Sequence, residues 1–315
     1  LGHQQPEDYV RDADTAMYRA KELGKGRYEV FDADMRASIT QRLQLENDLR
    51  RGLECGELRT VYQPIISLAC GTIVGFEALV RWQHPTRGLL QPIDFIPVAE
   101  ETGMIRELGW WVLTEACQRI AAWRRLHPSN SDLTMSVNLS VKQFFQSNFS
   151  AKLQALLDEH DLPEGTLKLE LTESCIMSDS TASIALLSDI KSRGVRLAID
   201  DFGTGYSSLS YLQRFPLDTL KIDRSFTTAM IAGGRDQGII ARTIIPLAQQ
   251  LGLDVVGEGV ETAEQAAMLK DMQCKYAQGF LFSSPLSAEE VEAALMKIVS
   301  PPQPVDGSLV PSTAA

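Results

Sequence analysis

The feature that most restricts this chain is an alternation. Strand-like runs at Thr60–Ile66, Ile73–Trp82, Leu133–Leu139, Leu167–Leu171, Val195–Ile199, Thr219–Ile222, Asp254–Gly257 and Tyr276–Phe280 are interleaved with amphipathic helical stretches. The clearest of those helices are Glu107–Leu126, Ala151–His160, Thr181–Arg193, Arg235–Leu251 and Ala263–Met272. Eight strands alternating with helices over this length favour an α/β chain folded as a (β/α)₈ TIM-type barrel over a doubly wound sheet. One connection breaks the regularity. Only Ser67 to Thr72 joins the first two strands, and a parallel crossover needs a dozen or more residues. The first strand pair is therefore expected to be antiparallel.

The barrel occupies residues 58–299 in this reading. Before it, residues 1–32 hold a helical stretch (Asp12–Leu23), a stop at Gly24-Lys25-Gly26 and a strand-like Arg27–Phe31. About thirty residues cannot bury a core of their own, so this zone reads as the end of a larger domain. Leu1 in place of a Met fits a fragment boundary. Residues 33–57 read as a connecting helix with Leu45, Leu49 and Leu53 on one face. That face either packs within the chain or pairs between protomers. Residues 300–315, opening Pro-Pro-Gln-Pro after Ser300, have a disordered composition.

Charge narrows the function. The 315 residues carry a net charge of −11. Binding a phosphate backbone usually needs a basic face, so a DNA or RNA duplex is not an expected partner. A phosphate-ester substrate would have to be brought in by bound cations. The five cysteines are scattered without a CxxC pair, which suits reduced thiols in a cytoplasm. The four histidines show no zinc-ligand spacing. No apolar run is long enough to span a membrane, and no signal peptide opens the chain.

Polar residues fall at or near the ends of most strands. Glu77 lies inside an apolar strand, and Asn138, Glu170, Glu173, Asp200, Asp201, Lys221, Asp223, Glu258, Glu261 and Gln278 close or follow the others. One such carboxylate is ordinarily a helix cap or a surface ion pair. A set of them is different, because in a barrel the C-terminal strand ends converge on one mouth. Clustered carboxylates repel and resist desolvation unless a cation neutralises them. Oxygen donors without His or Cys select Mg²⁺ or Mn²⁺ over zinc, with Ca²⁺ possible on ligand type. The paired Asp200-Asp201 suits two ions held close together for displacement at phosphorus. Lys221 would orient the attacking water or stabilise phosphate charge; its structural alternative is a salt bridge to a neighbouring acid. The Asp200–Leu209 run, with Gly203-Thr204-Gly205, reads as a mobile active-site loop. Trp82, Trp110, Trp111 and Trp123 read as packing residues and His84 as a loop residue. Nothing near Cys175 marks it as a nucleophile.

These residues resemble the EAL-domain phosphodiesterases. Glu77-Ala78-Leu79 matches the signature. Tyr62-Gln63-Pro64-Ile65, Phe95-Ile96-Pro97, Val137-Asn138-Leu139-Ser140, Glu170-Leu171-Thr172-Glu173, the Asp200–Leu209 loop, Leu220-Lys221-Ile222-Asp223, Glu258-Gly259-Val260-Glu261 and Gln278-Gly279-Phe280 follow in family order. The resemblance implies hydrolysis of cyclic diguanylate (c-di-GMP) to linear pGpG with two Mg²⁺ or Mn²⁺ ions, and inhibition by Ca²⁺. It implies that Glu77, Asn138, Glu170 and Asp200 hold one metal and that Asp200, Asp201 and Glu258 hold the second. Lys221 matches the lysine that contacts the attacking water, and Glu173 the glutamate that steadies the loop after Asp201. Gln63, Arg81, Asp223, Glu261, Gln278 and Phe280 resemble substrate contacts; Phe280 stands where Tyr is common. No catalytic position is missing, which weighs against a non-catalytic c-di-GMP sensor or a dimerisation module.

Asp12-Ala13-Asp14-Thr15-Ala16-Met17-Tyr18-Arg19-Ala20-Lys21, with Gly24-Lys25-Gly26-Arg27-Tyr28, is similar to the last helix and strand of a GGDEF diguanylate cyclase domain. The cyclase signature itself is absent, and upstream GGDEF and sensor domains are the implied neighbours. A homodimer is also expected, through the segment carrying Leu209, Tyr211, Leu212 and Phe215.

Overall fold

The computed structural model describes residues 6–22, 26–128, 132–177, 180–203, 212–230 and 239–298. The chain divides into two compact units, Leu1–Arg59 with Val80–Leu108, and Thr60–Leu79 with Gly109–Ala315.

The larger unit is built on an eight-stranded barrel. Its strands are β1 (Leu58–Ser67), β2 (Ile73–His84), β4 (Thr134–Asn138), β5 (Leu167–Thr172), β6 (Arg196–Phe202), β7 (Thr219–Ile222), β8 (Asp254–Gly257) and β9 (Tyr276–Ala277). A short β3, Gly88–Leu90, pairs with the far end of β2 in the smaller unit. The order β1-β9-β8-β7-β6-β5-β4-β2 closes through a β1–β2 pairing. Every neighbouring pair from β2 through β4 to β9 is parallel, while β1 runs antiparallel to β9. β1 is thus the one reversed strand, as its short connection to β2 requires.

Parallel strands covered on both faces need continuous apolar runs. β7 is buried at all four positions and β5 at its first five. Helical residues such as Leu113, Ile120 and Trp123 are fully buried, and the Trp123 ring meets Tyr62 edge-on at 4.8 Å. Gly75 permits close contact between β2 and β4, because a Cβ there would stand 2.6 Å from the Thr134 carbonyl oxygen.

Two details of the strands shape the mouth. Ile199 pairs with Leu220 and Phe202 with Ile222, so β6 spends one more residue than β7 between those pairs. The irregularity falls at Asp200-Asp201, where Asp201 has φ +53°. Consecutive strand residues normally face opposite sides, and a bulge of this kind lets two neighbours turn the same way. β9 ends at Ala277 rather than Phe280, with Gly279 at φ +159° packed against the Val260 backbone. The expected longer strand is corrected: the chain turns there and carries Gln278 inward and Phe280 outward.

In the smaller unit, helix Pro6–Glu22 is followed by helix Ala33–Glu54, capped by the Asp32 carboxylate accepting from Met35 N at 2.7 Å. Leu45 and Leu49 are buried and Leu53 half-buried, so their face is used within this chain. Two expectations fail here. Arg27–Phe31 forms no strand among the described residues; a strand needs a paired edge for its backbone groups, and none is supplied. His84 ends β2 and is buried, rather than lying in a loop. Its Nε2 lies 3.2 Å from Asp48, and its Nδ1 accepts from Thr86 N and Arg87 N. Trp82 donates to Glu57 at 2.9 Å and packs on Phe95.

Candidate active site

Lys221 is the centre of the barrel mouth. β7 is too short and too buried to place it anywhere but in the interior, where it is 1% exposed. Its ammonium meets carboxylates from four other elements: Glu258 at 2.6 Å, Asp200 at 3.2 Å, Glu77 at 3.4 Å, and Glu170 in a short contact. Burial alone would lower its pKa. The surrounding carboxylates outweigh that and hold it well above the usual lysine range.

Glu77, from the middle of β2, is the best-satisfied acid. Its Oε1 accepts from Asn138 Nδ2 at 2.7 Å and its Oε2 from Gln278 Nε2 at 2.6 Å and from Lys221. Burial opposes its ionisation, but Lys221 and these amide donors prevail, so its pKa is lowered. The other acids are not so served. Burial pushes Glu170 up to about 7, with Glu77 and Asp200 adding to the rise against Lys221. Burial and the same neighbours hold Glu258 well above the usual carboxylate range. Asp201 is also raised, by burial and then by Asp200 and Asp223. Five carboxylates thus face one ammonium. That surplus of negative charge is what a bound cation would relieve. Asp200, Asp201 and Glu258 each offer an oxygen, all within 4.8 Å of one another, and could hold a metal ion.

The cluster opens into a cavity of about 320 Å³. Gln63, Asp223, Glu261, Gln278 and Phe280 line it. Gln63 Oε1 accepts from Gln278 Nε2 at 2.9 Å, while Gln278 Oε1 is buried without a partner among the described residues. Asp223 caps the following helix through Ser225 N at 2.9 Å. The Phe280 ring is 67% exposed. Arg81 belongs to the smaller unit, where its guanidinium donates to the Val80 carbonyl. Glu173 is buried at the start of helix Glu173–Met177, and its Oε2 has no hydrogen-bond partner among the described residues. Residues 204–211, the rest of the loop it was expected to steady, lie outside the described residues. Sequence reasoning missed Arg224 and Gly259 in the lining. Gly259 had a legible signal, since it follows a strand-end acid; its φ of +61° and the 2.3 Å from its would-be Cβ to Arg224 Cβ require glycine.

Residues 46–285 match the EAL domain family. The chain is an EAL-domain protein. Among its relatives is the bifunctional diguanylate cyclase/cyclic di-GMP phosphodiesterase MucR of Pseudomonas aeruginosa, 42% identical over 90% of this chain and 41% of that protein. The cyclic di-GMP phosphodiesterase PdeR of Escherichia coli is 39% identical over 90% of this chain and 42% of its own length. Among solved structures, the PaMucR phosphodiesterase in complex with c-di-GMP superposes with a TM-score of 0.75 at 43% identity, covering 79% of this chain and 99% of that one. The chain spans less than half the length of these two curated relatives.

Proposed function

We propose that this EAL domain hydrolyses c-di-GMP to linear pGpG. The observation that carries the reading is the Lys221 site: a buried ammonium ringed by Glu77, Glu170, Asp200 and Glu258, with Asp201 and Asn138 beside them. The relatives named for this activity, and the solved complex with c-di-GMP, support it.

The residues fit divalent metals, because the donors are all oxygen and their charge is under-compensated. In our assignment Glu77, Asn138, Glu170 and Asp200 would hold one ion, and Asp200, Asp201 and Glu258 would hold the other. Two ions of this kind supply charge neutralisation on the phosphate and a more acidic water. Mg²⁺ or Mn²⁺ suits a compact six-coordinate site; Ca²⁺ prefers more and longer bonds and is expected to inhibit.

The protein's own groups do the rest. Lys221 steadies the attacking water and the phosphate charge. Water adds to phosphorus and gives up a proton, one P–O bond of the ring breaks, and the leaving oxygen takes up a proton, so that the net reaction consumes one water. Gln63, Gln278, Asp223 and Glu261 orient the dinucleotide by hydrogen bonds, and Phe280 offers a face to a guanine. Glu173 positions the loop after Asp201.

Residues 1–32 are assigned to the end of a GGDEF domain, with cyclase and sensor domains upstream and the reaction in the cytoplasm. Among the described residues no helix is long and apolar enough to cross a membrane. A homodimer also belongs to this proposal. Leu212 and Phe215, expected at its interface, are buried within this chain, so the contact must use other side chains; Leu209 and Tyr211 lie outside the described residues. Incubation with c-di-GMP and Mg²⁺ and chromatography of the products tests the activity. Nucleotide retained uncut would indicate the sensor alternative.

A further inference from the structure

The Glu258–Thr262 loop carries two of the proposed site residues, and besides the ion pair of Glu258 with Lys221 its backbone is held from outside the cavity. Two buried side chains hold it. Thr227, on helix Arg224–Ala229, is fully buried. Its hydroxyl lies 2.5 Å from the Glu258 carbonyl oxygen and 2.9 Å from that of Arg224, so its single proton is shared, with the shorter contact favoured. Gln265 is 4% exposed. Its Oε1 accepts from Glu261 N at 2.7 Å and from Thr262 N at 2.9 Å, and its Nε2 donates to the Thr227 carbonyl at 3.3 Å.

A helix cap explains part of this. Thr262 and Gln265 form a capping box on helix Ala263–Asp271. Capping does not require the third bond, from Gln265 to Thr227, nor the bond from Thr227 to Glu258. Those two tie the loop after β8 to the helix that follows Lys221 and Asp223. The Glu258 backbone is therefore gripped on both sides, by Ile222 O at its N–H (3.1 Å) and by Thr227 at its carbonyl.

We infer that Thr227 and Gln265 are positioning residues, which set the Glu258 carboxylate against Asp200 and Asp201 for a divalent ion and the Glu261 carboxylate toward the substrate. The inference rests on the functional reading above. Its physical basis is that the Glu258 carboxylate, though paired with Lys221 at 2.6 Å, also stands against Asp200 and Asp201, so a free backbone would let it shift away from those acids. Fixing the backbone removes that escape and keeps the oxygen donors preorganised. Partners one bond removed from the ligands are worth about 10–100-fold in metal affinity.

The test is Mn²⁺ titration of the full chain, with free Mn²⁺ read by electron paramagnetic resonance and no nucleotide present. Thr227→Val keeps the shape but loses the hydroxyl, and is expected to weaken Mn²⁺ binding about tenfold or more. Thr227→Ser restores the hydroxyl and should return affinity to near wild type. Gln265→Glu keeps the two accepted bonds of the cap but cannot donate to Thr227. Its added negative charge would by itself favour a cation, so weaker binding there isolates the lost link. Melting in EDTA checks that each variant folds; if Thr227→Val does not, Gln265→Glu against wild type decides. Wild-type affinity in Gln265→Glu, or equal weakening in Thr227→Ser and Thr227→Val, overturns the inference. Wild-type protein that binds Mn²⁺ but cuts no c-di-GMP overturns only the functional reading; wild-type protein that binds no Mn²⁺ overturns both.

Discussion

Lys221 and Lys168 are two lysines buried in one barrel, 1% and 6% exposed. Lys221 sits in the mouth among four carboxylates and is held well above the usual range. Lys168 lies two residues before Glu170 on β5, on the same face but one layer deeper. It makes no ion pair among the described residues, and burial lowers its pKa despite Glu170 and Asp254. The same side chain in the same interior is thus pulled opposite ways. Burial expels charge unless opposite charge converges on it. Opposite charge converges on Lys221 and not on Lys168, and the layer where it converges is the proposed site.

The sharpest way to break this comparison is to neutralise each lysine. Lys221→Met should cut turnover by ~10²-fold or more. It should also lower metal-free stability by about 3–5 kcal/mol, because buried carboxylates lose their partner. Mn²⁺ should restore much of that stability but not the turnover. Lys168→Met should leave turnover within a few-fold of wild type and melting unchanged or raised. Steady-state assays and thermal melts decide; equal effects of the two substitutions would end the distinction.

The carboxylates sharpen it next. Glu77→Gln, Asn138→Ala and Asp200→Ala should each abolish hydrolysis and leave the fold intact. In EDTA, Glu77→Gln should melt lower than wild type, since its ionised form is stabilised by Lys221, Gln278 and Asn138. Glu258→Gln should melt higher, since its ionised form is disfavoured. A smaller effect belongs to the exposed edge. Phe280→Ala should raise KM about tenfold with kcat little changed, if base stacking contributes the usual 1–3 kcal/mol.

The least of the expected effects is a pH trend. Burial pushes Glu170 up to about 7, from an ordinary value of 4.5. A raised acid contributes stability that is complete below about 4.5 and is lost as pH rises through about 7. Metal-free protein should therefore lose stability from this group across that window. The melting gain from Mn²⁺ should be larger at pH 8 than at pH 6, and an equal gain would remove Glu170 from the metal set.

Much of this was legible in the amino-acid order. Thr219–Ile222 and Asp254–Gly257 are strands with the bounds read from sequence, because short apolar runs between turn signals have few alternatives. Asp200, Asp201 and Glu258 were visible because they close or follow such a run, and Glu77 because it interrupts one. What was not legible depended on partners distant in sequence. β3 is three residues long and exists by pairing with the end of β2. His84 is buried because Asp48, in a separate helix, receives it. The Thr262-x-x-Gln265 spacing announces a cap, but nothing local announces that Gln265 also reaches Thr227.

The central claim is that the acid-ringed Lys221 site cuts a phosphodiester with the help of divalent ions. Its most direct measurement is incubation of the full chain with c-di-GMP and Mg²⁺, with and without EDTA, followed by chromatography. The account predicts conversion to linear pGpG, abolished by EDTA and absent in Glu77→Ala. Recovery of the cyclic dinucleotide intact, or cleavage that persists in EDTA or in Glu77→Ala, would contradict it.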